Sequence, residues 1–265
     1  MTDFDWDDAF ANSAYIPGSE TFPDRWTSEA AAYRNSGIQI EQDIAYGAAP
    51  REVFDLILPD GAPQGLAVFV HGGYWMQTDK SMWTAYAEGA RARGWAVCFP
   101  SYTLAPEARI SDITKQITAA IAHTATLVSG PIRIAGHSAG GHLVARMVCA
   151  DSQIADRIDH ALSISGVHDL RPLMQTKMNA TLRLDEAEAD RESPALLNPH
   201  PTARITAWVG GNERPEFIRQ AQLFGRAWSA QGAQITCQIN EGRDHFSVIE
   251  GLKDPDSRIT HAFVG

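Results

Sequence analysis

A serine between two glycines constrains this chain more than any other feature of its sequence. Residues 136–140 read Gly-His-Ser-Ala-Gly, the apolar run Pro131–Ala135 before them predicts a short buried strand, and Gly141–Val148 after them predicts the start of a helix. A strand and a helix joined by the pattern G-x-S-x-G form a nucleophile elbow. The turn strains the serine backbone, and its glycines let neighbouring backbone come close. Ser138 is therefore predicted to present its hydroxyl at the carboxyl edge of a sheet.

Strands alternate with helices along most of the chain. Two segments in which every second residue is apolar, Ile38–Ala45 and Val53–Leu58, predict an antiparallel pair at a sheet edge. Later apolar runs predict strands at Leu66–Val70, Trp95–Phe99, Ile132–Ala135, His160–Ser165, Ile205–Val209 and Gln234–Ile239. The predicted helices cover Trp26–Tyr33, Ser81–Arg93, Ile110–Leu127 and Pro215–Gln231. This order predicts an α/β fold with a mostly parallel central sheet of about eight strands and helices on both faces.

The size and charge of the chain narrow the choice of partners. Its 265 residues are 44% hydrophobic, enough for one large core, so we expect one domain over residues 1–265. The formal net charge is -10, and because phosphate contacts need Lys and Arg, we expect no nucleic-acid partner. The same charge disfavours an anionic membrane surface. We expect a small-molecule substrate, and the sequence leaves a homodimer open.

The chain is expected to work in the cytoplasm. It shows neither the basic and apolar regions of a signal peptide nor an apolar run of the roughly 18 residues that cross a bilayer. The three cysteines, Cys98, Cys149 and Cys237, lie far apart in apolar stretches, so we expect buried free thiols. Free thiols are typical of a reducing compartment.

Two segments carry no strand of the predicted sheet. Residues 1–35 are interpreted as an irregular N-terminal extension, and the acidic cluster of Asp3, Asp5, Asp7 and Asp8 predicts a solvated, frayed terminus. Residues 170–200 are polar, with Met174, Met178 and Leu182 able to line one side. This second segment is interpreted either as a partial lid inserted above the site or as a plain connecting helical segment.

A serine nucleophile needs a base, normally a histidine held by a carboxylate. After a nucleophile elbow, the acid comes next along the chain and the histidine comes last. His245 fits that order, because it follows the last predicted strand and a turn-rich loop and precedes a helix start at Phe246. The alternative is a surface histidine that caps this helix. Other histidines beyond the elbow helix are less well placed: His160, His168, His200 and His261.

The acid is expected in the loop after the strand Ile205–Val209. Glu213 is our preferred candidate, since a carboxylate there can orient the imidazole and stabilise its charged form. Glu216 competes with it, but Pro215 favours a helix start that would make Glu216 a first-turn carboxylate. Asp169 is a third, more structural option.

The segment His71-Gly72-Gly73-Tyr74-Trp75 follows the strand Leu66–Val70. Consecutive glycines let backbone pass close to a substrate and present N–H groups to a developing oxyanion. Gly72 and Gly73, together with the N–H of Ala139 at the elbow helix, are predicted to form an oxyanion hole. We interpret His71 as a structural side chain.

Three aromatic residues are expected to wall the substrate pocket. Tyr74 and Trp75 follow the glycine pair at the strand tip, and Phe246 follows the predicted base. A core position is the alternative for Tyr74 and Trp75. No cofactor and no metal are expected: H-E-x-x-H, C-x-x-C and P-loop patterns do not occur, and the five-residue spacing from His137 to His142 does not place both on one helix face.

Together these segments resemble the α/β-hydrolase superfamily, specifically its hormone-sensitive-lipase-like branch. Within that branch, His71–Trp75 looks like the signature of the serine-hydrolase type of kynurenine formamidase, also called arylformamidase. Further segments are similar to the same group: Ser101–Pro106, Ser165–Leu173, Ser193–Pro194 and Pro215–Gln220. The resemblance covers roughly residues 38–252. The resemblance implies Ser138 as nucleophile, Glu213 as acid and His245 as base, with oxyanion donors at the backbone of Gly72, Gly73 and Ala139. This chain departs from the family at one of these positions, since the family usually has Asp where this chain has Glu213.

The resemblance implies a serine hydrolase that acts on a small carbonyl compound. Hydrolysis of N-formylkynurenine or a similar aryl formamide or ester is the reaction we favour, because a small acyl group and an aromatic leaving group suit an aromatic-walled pocket. A short-chain carboxylesterase or thioesterase is the alternative. A non-catalytic ligand-binding member of the fold is a remote alternative, since such relatives lose the histidine that this chain keeps as His245.

Overall fold

The apolar runs of the sequence form one eight-stranded sheet in the computed structural model, which describes residues 4–265. The strands are β1 (Ile40–Ala45), β2 (Val53–Ile57), β3 (Leu66–Val70), β4 (Ala96–Pro100), β5 (Ile132–His137), β6 (Ile158–Ile164), β7 (Arg204–Gly210) and β8 (Gln234–Asn240). The α-helices are α1 (Trp6–Ala9), α2 (Phe22–Arg34), α3 (Glu88–Ala92), α4 (Ile110–Leu127), α5 (Ala139–Arg146), α6 (Asn179–Leu182), α7 (Glu186–Arg191), α8 (Pro215–Ser229) and α9 (Arg258–Val264). Short 3₁₀ helices cover Ser13–Tyr15, Ser19–Thr21, Lys80–Met82, Thr84–Ala87, Ala155–Arg157, Arg171–Gln175, Pro194–Leu196 and Ser247–Lys253.

The strand order is β1-β2-β4-β3-β5-β6-β7-β8. β1 pairs with β2, and β2 with β4, in antiparallel fashion, whereas every other neighbouring pair is parallel. The antiparallel pair at the sheet edge and the mostly parallel α/β fold are therefore confirmed. Because β3 and β5 to β8 run in one direction, the loops after them meet along one edge of the sheet.

Alternation of side chains along the strands divides the core between the two sheet faces. In β3, Leu66, Val68 and Val70 belong to the apolar cluster that includes α4. Ala67 and Phe69 belong to the opposite cluster, with Trp26 of α2 and residues of α9. Helices thus cover both faces, as continuous apolar strands require.

The helix predicted over Ser81–Arg93 is wrong for most of its length. Two 3₁₀ helices come first, and only α3 is α-helical. Polar contacts fix the start of the segment: Asp79 accepts a hydrogen bond from the Ser81 N–H, and the buried Lys80 ammonium lies 2.6 Å from Asp55 in β2. These contacts tie the segment to the sheet in place of a regular helix.

The acidic terminus is folded onto the protein, which corrects the prediction of a frayed end. Asp3 lies outside the described residues. Asp5 caps α1 by accepting a hydrogen bond from the Asp8 N–H, Asp7 accepts one from the Lys177 N–H at 2.7 Å, and Asp8 pairs with Arg214. Two of the carboxylates therefore bind basic or N–H partners on distant segments.

Cys98 and Cys149 are buried free thiols, as predicted, but Cys237 is exposed. β8 is an edge strand, and its outer face is open to solvent. Among residues 4–265, no helix has both the length and the apolar character that a membrane span requires.

The segment 170–200 is attached to the body of the protein by ion pairs. Arg146 of α5 lies 3.0 Å from Glu192, and Arg109 pairs with Glu188 of α7. A lid role for this segment stays a prediction.

Candidate active site

Ser138 lies in a strained turn between β5 and α5. Its backbone has φ 56° and ψ -116°, a conformation that costs a non-glycine residue free energy. Close backbone contacts enforce this turn: a Cβ on Gly136 would lie 2.2 Å from the carbonyl oxygen of Gly140, and one on Gly140 would lie 2.0 Å from that of Val70. Only glycine fits at either position. The two glycines of the G-x-S-x-G pattern are therefore required by the tight turn that holds Ser138 in its strained conformation.

His245 and Glu213 form a buried pair beside the elbow. The imidazole Nδ1 lies 2.6 Å from Oε2 of Glu213, and both side chains are almost completely buried. Since a carboxylate only accepts hydrogen bonds, Nδ1 carries the proton and Nε2 is left free to act as a base. The loops after β7 and β8 supply these residues, which places both at the edge of the sheet where Ser138 lies.

The second oxygen of Glu213 is also fully used. Oε1 accepts hydrogen bonds from the Gly210 N–H at 2.7 Å and from the Ser165 hydroxyl at 2.5 Å. These hydrogen bonds fix the orientation of the carboxylate. Ser165, in the positive-φ turn after β6, is a supporting residue that sequence analysis missed.

The competing carboxylates bind other groups. Glu216 lies in the first turn of α8 and accepts hydrogen bonds from Arg219 and Gln220 at 2.7 and 2.8 Å. Asp169 accepts hydrogen bonds from the backbone and guanidinium of Arg171. Of the three candidate acids, the structure brings Glu213 alone to His245.

His137, the residue before Ser138, supports the loop that carries His245. Its Nε2 donates a hydrogen bond to the backbone carbonyl of His245 at 2.8 Å, and the two rings lie 4.7 Å apart. Burial, helped by the neighbouring imidazole, holds the pKa of His137 well below its ordinary value. His137 is therefore a neutral donor. Its position inside the G-x-S-x-G pattern was the available sequence signal.

The glycine pair after β3 passes directly against the elbow. A Cβ on Gly72 would lie 2.8 Å from the His137 carbonyl oxygen, and Gly73 has φ +105° with Gln77 O only 2.4 Å from its would-be Cβ. Within residues 4–265, the N–H groups of Gly72 and Gly73 donate no backbone hydrogen bond. Ala139 is the first residue of α5, so no helix carbonyl can accept from its N–H. The three predicted oxyanion donors thus lie around one turn.

His71 is a structural side chain. Its Nδ1 lies 2.9 Å from the Gly72 carbonyl oxygen, and its ring stacks on Tyr102 at 4.3 Å between centroids. The Thr78 hydroxyl also donates to Gly72 O. Burial lowers the pKa of His71 to about 4, so the ring is neutral at pH 7. These contacts hold the glycine loop in shape.

Ser138 and His245 open onto a cavity of about 770 Å³. Tyr74 and Phe246 line this cavity as well. In the described part of the chain, Ser138 Oγ makes no hydrogen bond to His245. Hydrogen bonds between a nucleophile and its base are often long or poorly aligned in proteins without bound substrate.

Trp75 does not line the cavity, so its assignment to the pocket wall is corrected. The residue has φ 59°, and its side chain is completely buried. It packs edge-on against His142 at 5.1 Å. Trp75 is therefore a core residue under the glycine loop.

A large part of the cavity wall comes from the N-terminal segment, which sequence analysis treated as an extension. The lining residues from this segment include Phe10, Asn12, Glu20, Pro23 and Trp26. Met178 of segment 170–200 adds to the wall. The aromatic residues Phe10 and Trp26 in an otherwise polar terminus were the sequence signal that this segment packs against the body of the protein.

Other buried histidines serve the scaffold. His142 Nε2 donates to the Glu192 carbonyl, and His168 bonds the Ser163 hydroxyl and stacks on Phe224. In the described residues, no three His, Cys, Asp or Glu side chains group as metal ligands would.

Residues 67–248 match a family model described as alpha/beta hydrolase fold. The kynurenine formamidase of Danio rerio is 29% identical over 235 residues, which span 84% of this chain and 80% of the relative. That of Salmo salar is 30% identical over 232 residues, with 82% and 79% covered.

Solved structures are similar over nearly the whole chain. A protein from Silicibacter sp. TM1040, provisionally described as a thioesterase, has a TM-score of 0.93 and 45% identity and covers 99% of this chain and 100% of its own. Esterase B from Lactobacillus rhamnosis, at 17% identity and a TM-score of 0.67, covers 91% of this chain and 90% of its own and shares the fold.

Proposed function

The chain belongs to the alpha/beta hydrolase fold family, and on that premise we propose that it is a serine hydrolase with Ser138 as nucleophile, His245 as base and Glu213 as acid. The 2.6 Å bond between His245 and Glu213, beside a cavity that also exposes Ser138, is the observation that carries the proposal. This bond is the contact that a catalytic triad requires between its carboxylate and its histidine.

In the proposed reaction, Ser138 Oγ attacks the carbonyl carbon while His245 Nε2 takes its proton. The tetrahedral oxyanion accepts hydrogen bonds from the N–H groups of Gly72, Gly73 and Ala139. His245 then gives its proton to the leaving group, and an acyl-enzyme remains. Water, deprotonated by His245, attacks this ester, and the released proton returns to Ser138.

The substrate we propose is N-formylkynurenine or a similar aryl formamide. Curated relatives of comparable length are kynurenine formamidases, and the cavity carries aromatic walls from Tyr74, Trp26 and Phe246. A formyl group needs little space on the acyl side, whereas an aniline needs an apolar chamber. We also propose a cytoplasmic protein whose partner is this small molecule, without a nucleic-acid or membrane partner.

A thioesterase or short-chain carboxylesterase is the second candidate, because the 45% identical structure is described as a thioesterase. The test compares kcat/KM of the purified protein on N-formylkynurenine, p-nitrophenyl acetate, p-nitrophenyl butyrate and acetyl-CoA. A formamide value within about 10⁴–10⁸ M⁻¹s⁻¹ that exceeds the others supports the proposal. Turnover of esters or thioesters without the formamide favours the second candidate. No turnover of any substrate contradicts the serine-hydrolase proposal.

A further inference from the structure

Asn12 lies in the cavity wall with an unused hydrogen-bond acceptor. The residue is only 6% exposed and lines the same cavity as Ser138. It holds the cap position of the 3₁₀ helix Ser13–Tyr15, but its side chain makes no capping hydrogen bond. In the part of the chain that the structure describes, Asn12 Oδ1 has no partner.

The neighbouring hydroxyl determines which amide atom is left free. Tyr74 donates its O–H proton to the Phe10 carbonyl oxygen at 2.6 Å, so the hydroxyl can only accept from Asn12. Asn12 Nδ2 fills that role at 3.5 Å, which leaves Oδ1 as the unpaired atom. A buried carbonyl oxygen without a partner costs free energy, and a ligand N–H would recover it.

The charge around Asn12 favours a cation. Asp7 and Glu20 line the cavity, and Glu20 makes no ion pair among the described residues. No Lys or Arg is found among the residues that line this cavity in the described range. Asp7 is already bound by Lys177, so in the described range Glu20 is the cavity carboxylate without an ion pair. The Glu20 carboxylate and the free amide oxygen of Asn12 attract N–H donors and repel anions.

We propose that Asn12 Oδ1, assisted by the carboxylate of Glu20, binds an ammonium group on the leaving-group side of the substrate. The inference rests on the proposed function, in which the acyl side is small and the leaving group fills the cavity. Asn12 is then a specificity-determining residue contributed by the N-terminal segment. In N-formylkynurenine, the amino-acid arm carries an ammonium group and a carboxylate on one carbon, and the proposed contact is to the ammonium group, with the carboxylate turned away from Glu20.

The test uses three 2-formamidophenyl ketones that differ only at the end of one side arm. The arm –CO–CH₂–CH₂–X ends in an ammonium group, a methyl group or a carboxylate. We expect kcat/KM to fall in that order, with the ammonium compound favoured over the methyl compound by about tenfold or more, the worth of a hydrogen bond to a charged group. Asn12→Ala should lower this ratio by about tenfold, whereas Asn35→Ala, on an exposed asparagine of the α2 terminus, should keep the wild-type ratio.

A binding measurement separates this inference from the proposed function. Calorimetry with Ser138→Ala gives the Kd of each ketone without turnover. If the ammonium ketone binds best but no formamide is hydrolysed, the proposed substrate class fails and the subsite stands. Equal Kd values for the three ketones, or an equal loss for all three in Asn12→Ala, overturn the subsite even if hydrolysis is efficient.

Discussion

His137 Nε2 donates a hydrogen bond to the backbone carbonyl of His245 at 2.8 Å, so the residue before Ser138 holds the loop that carries His245. Ser138 follows β5 and His245 lies in the loop after β8, and β6 and β7 separate these two strands in the sheet. The side chain of His137 therefore links two segments whose strands are not neighbours. Burial keeps His137 neutral, so it donates this hydrogen bond without adding a charge beside His245.

Removing the His137 donor should misplace the base without removing it. We expect His137→Phe to lower kcat about tenfold or more while KM changes little, because one buried hydrogen bond is worth roughly 1 kcal/mol and positioning losses add to it. His137→Gln places an amide donor near the same point and should recover most of the activity. Equal losses of kcat in both variants would contradict the positioning role.

Ser138→Ala should abolish turnover and leave the protein folded. Loss of a triad nucleophile lowers kcat on the order of 10⁶-fold in comparable enzymes. Initial rates give the activity, and circular dichroism with a thermal melt gives the folded state. Near wild-type rates in a folded Ser138→Ala protein would require a different nucleophile.

The two neighbouring glutamates should differ sharply in their effect on rate. Glu213→Gln removes the negative charge that orients and stabilises the His245 imidazolium, so we expect a loss of kcat of about 10³–10⁴-fold. Glu216→Gln changes a residue that binds Arg219 and should cost far less. The comparison of kcat for the two variants identifies which glutamate acts as the acid of the triad. A larger loss of kcat in Glu216→Gln than in Glu213→Gln would assign that role to Glu216.

A methyl group on Gly140 should destabilise the elbow. Its Cβ would lie 2.0 Å from the backbone oxygen of Val70, which has no free space to move into. We expect Gly140→Ala to lower the free energy of unfolding by about 3 kcal/mol or more. Gly61→Ala is the matched control, because a Cβ there meets nothing within 4 Å. Equal urea midpoints for the two variants would be inconsistent with this contact.

Stability should fall as the pH drops below about 6.5, the ordinary pKa of histidine. Burial lowers the pKa of His168 in the folded protein to about 3, so between these values the unfolded chain binds a proton that the folded protein does not. Between pH 6.5 and pH 5, one such histidine lowers the free energy of unfolding by about 2 kcal/mol. His168→Phe should therefore reduce the slope of unfolding free energy against pH, measured by urea titration. His261→Phe, on an exposed histidine, is the control. Identical slopes in the two variants would count against this assignment.

Much of the fold could be predicted because its signals are local. The elbow glycines, the continuous apolar strands and the order of Ser138, Glu213 and His245 all lie in short readable segments. The pairing of β1 with β2 at the sheet edge followed from their period-2 pattern and is confirmed. Alternation of strands and helices was sufficient to predict a mostly parallel sheet, because parallel strands need crossover connections.

What could not be predicted depends on contacts between distant segments. Trp75 follows the glycine pair at a strand tip, where a residue that lines the pocket is expected. Its side chain instead packs in the core against His142. The bond from His137 to the His245 carbonyl joins residues far apart in sequence, and the place of His137 in the G-x-S-x-G pattern does not identify this partner. The acidic terminus follows the same rule, since Asp8 pairs with Arg214, which lies 206 residues later in the sequence.

The N-terminal segment supplies Phe10, Asn12 and Trp26 to the cavity but contributes neither a strand nor a triad candidate. In the proposed function, the reacting groups and part of the substrate wall are thus encoded in separate stretches of the gene. Phe10 and Trp26 also belong to the apolar clusters that pack on the two faces of the sheet, so exchange of the whole stretch would disturb the core. For an engineer, the polar cavity positions of this stretch, Asn12 and Glu20, are therefore the ones to vary, while its aromatic residues are kept.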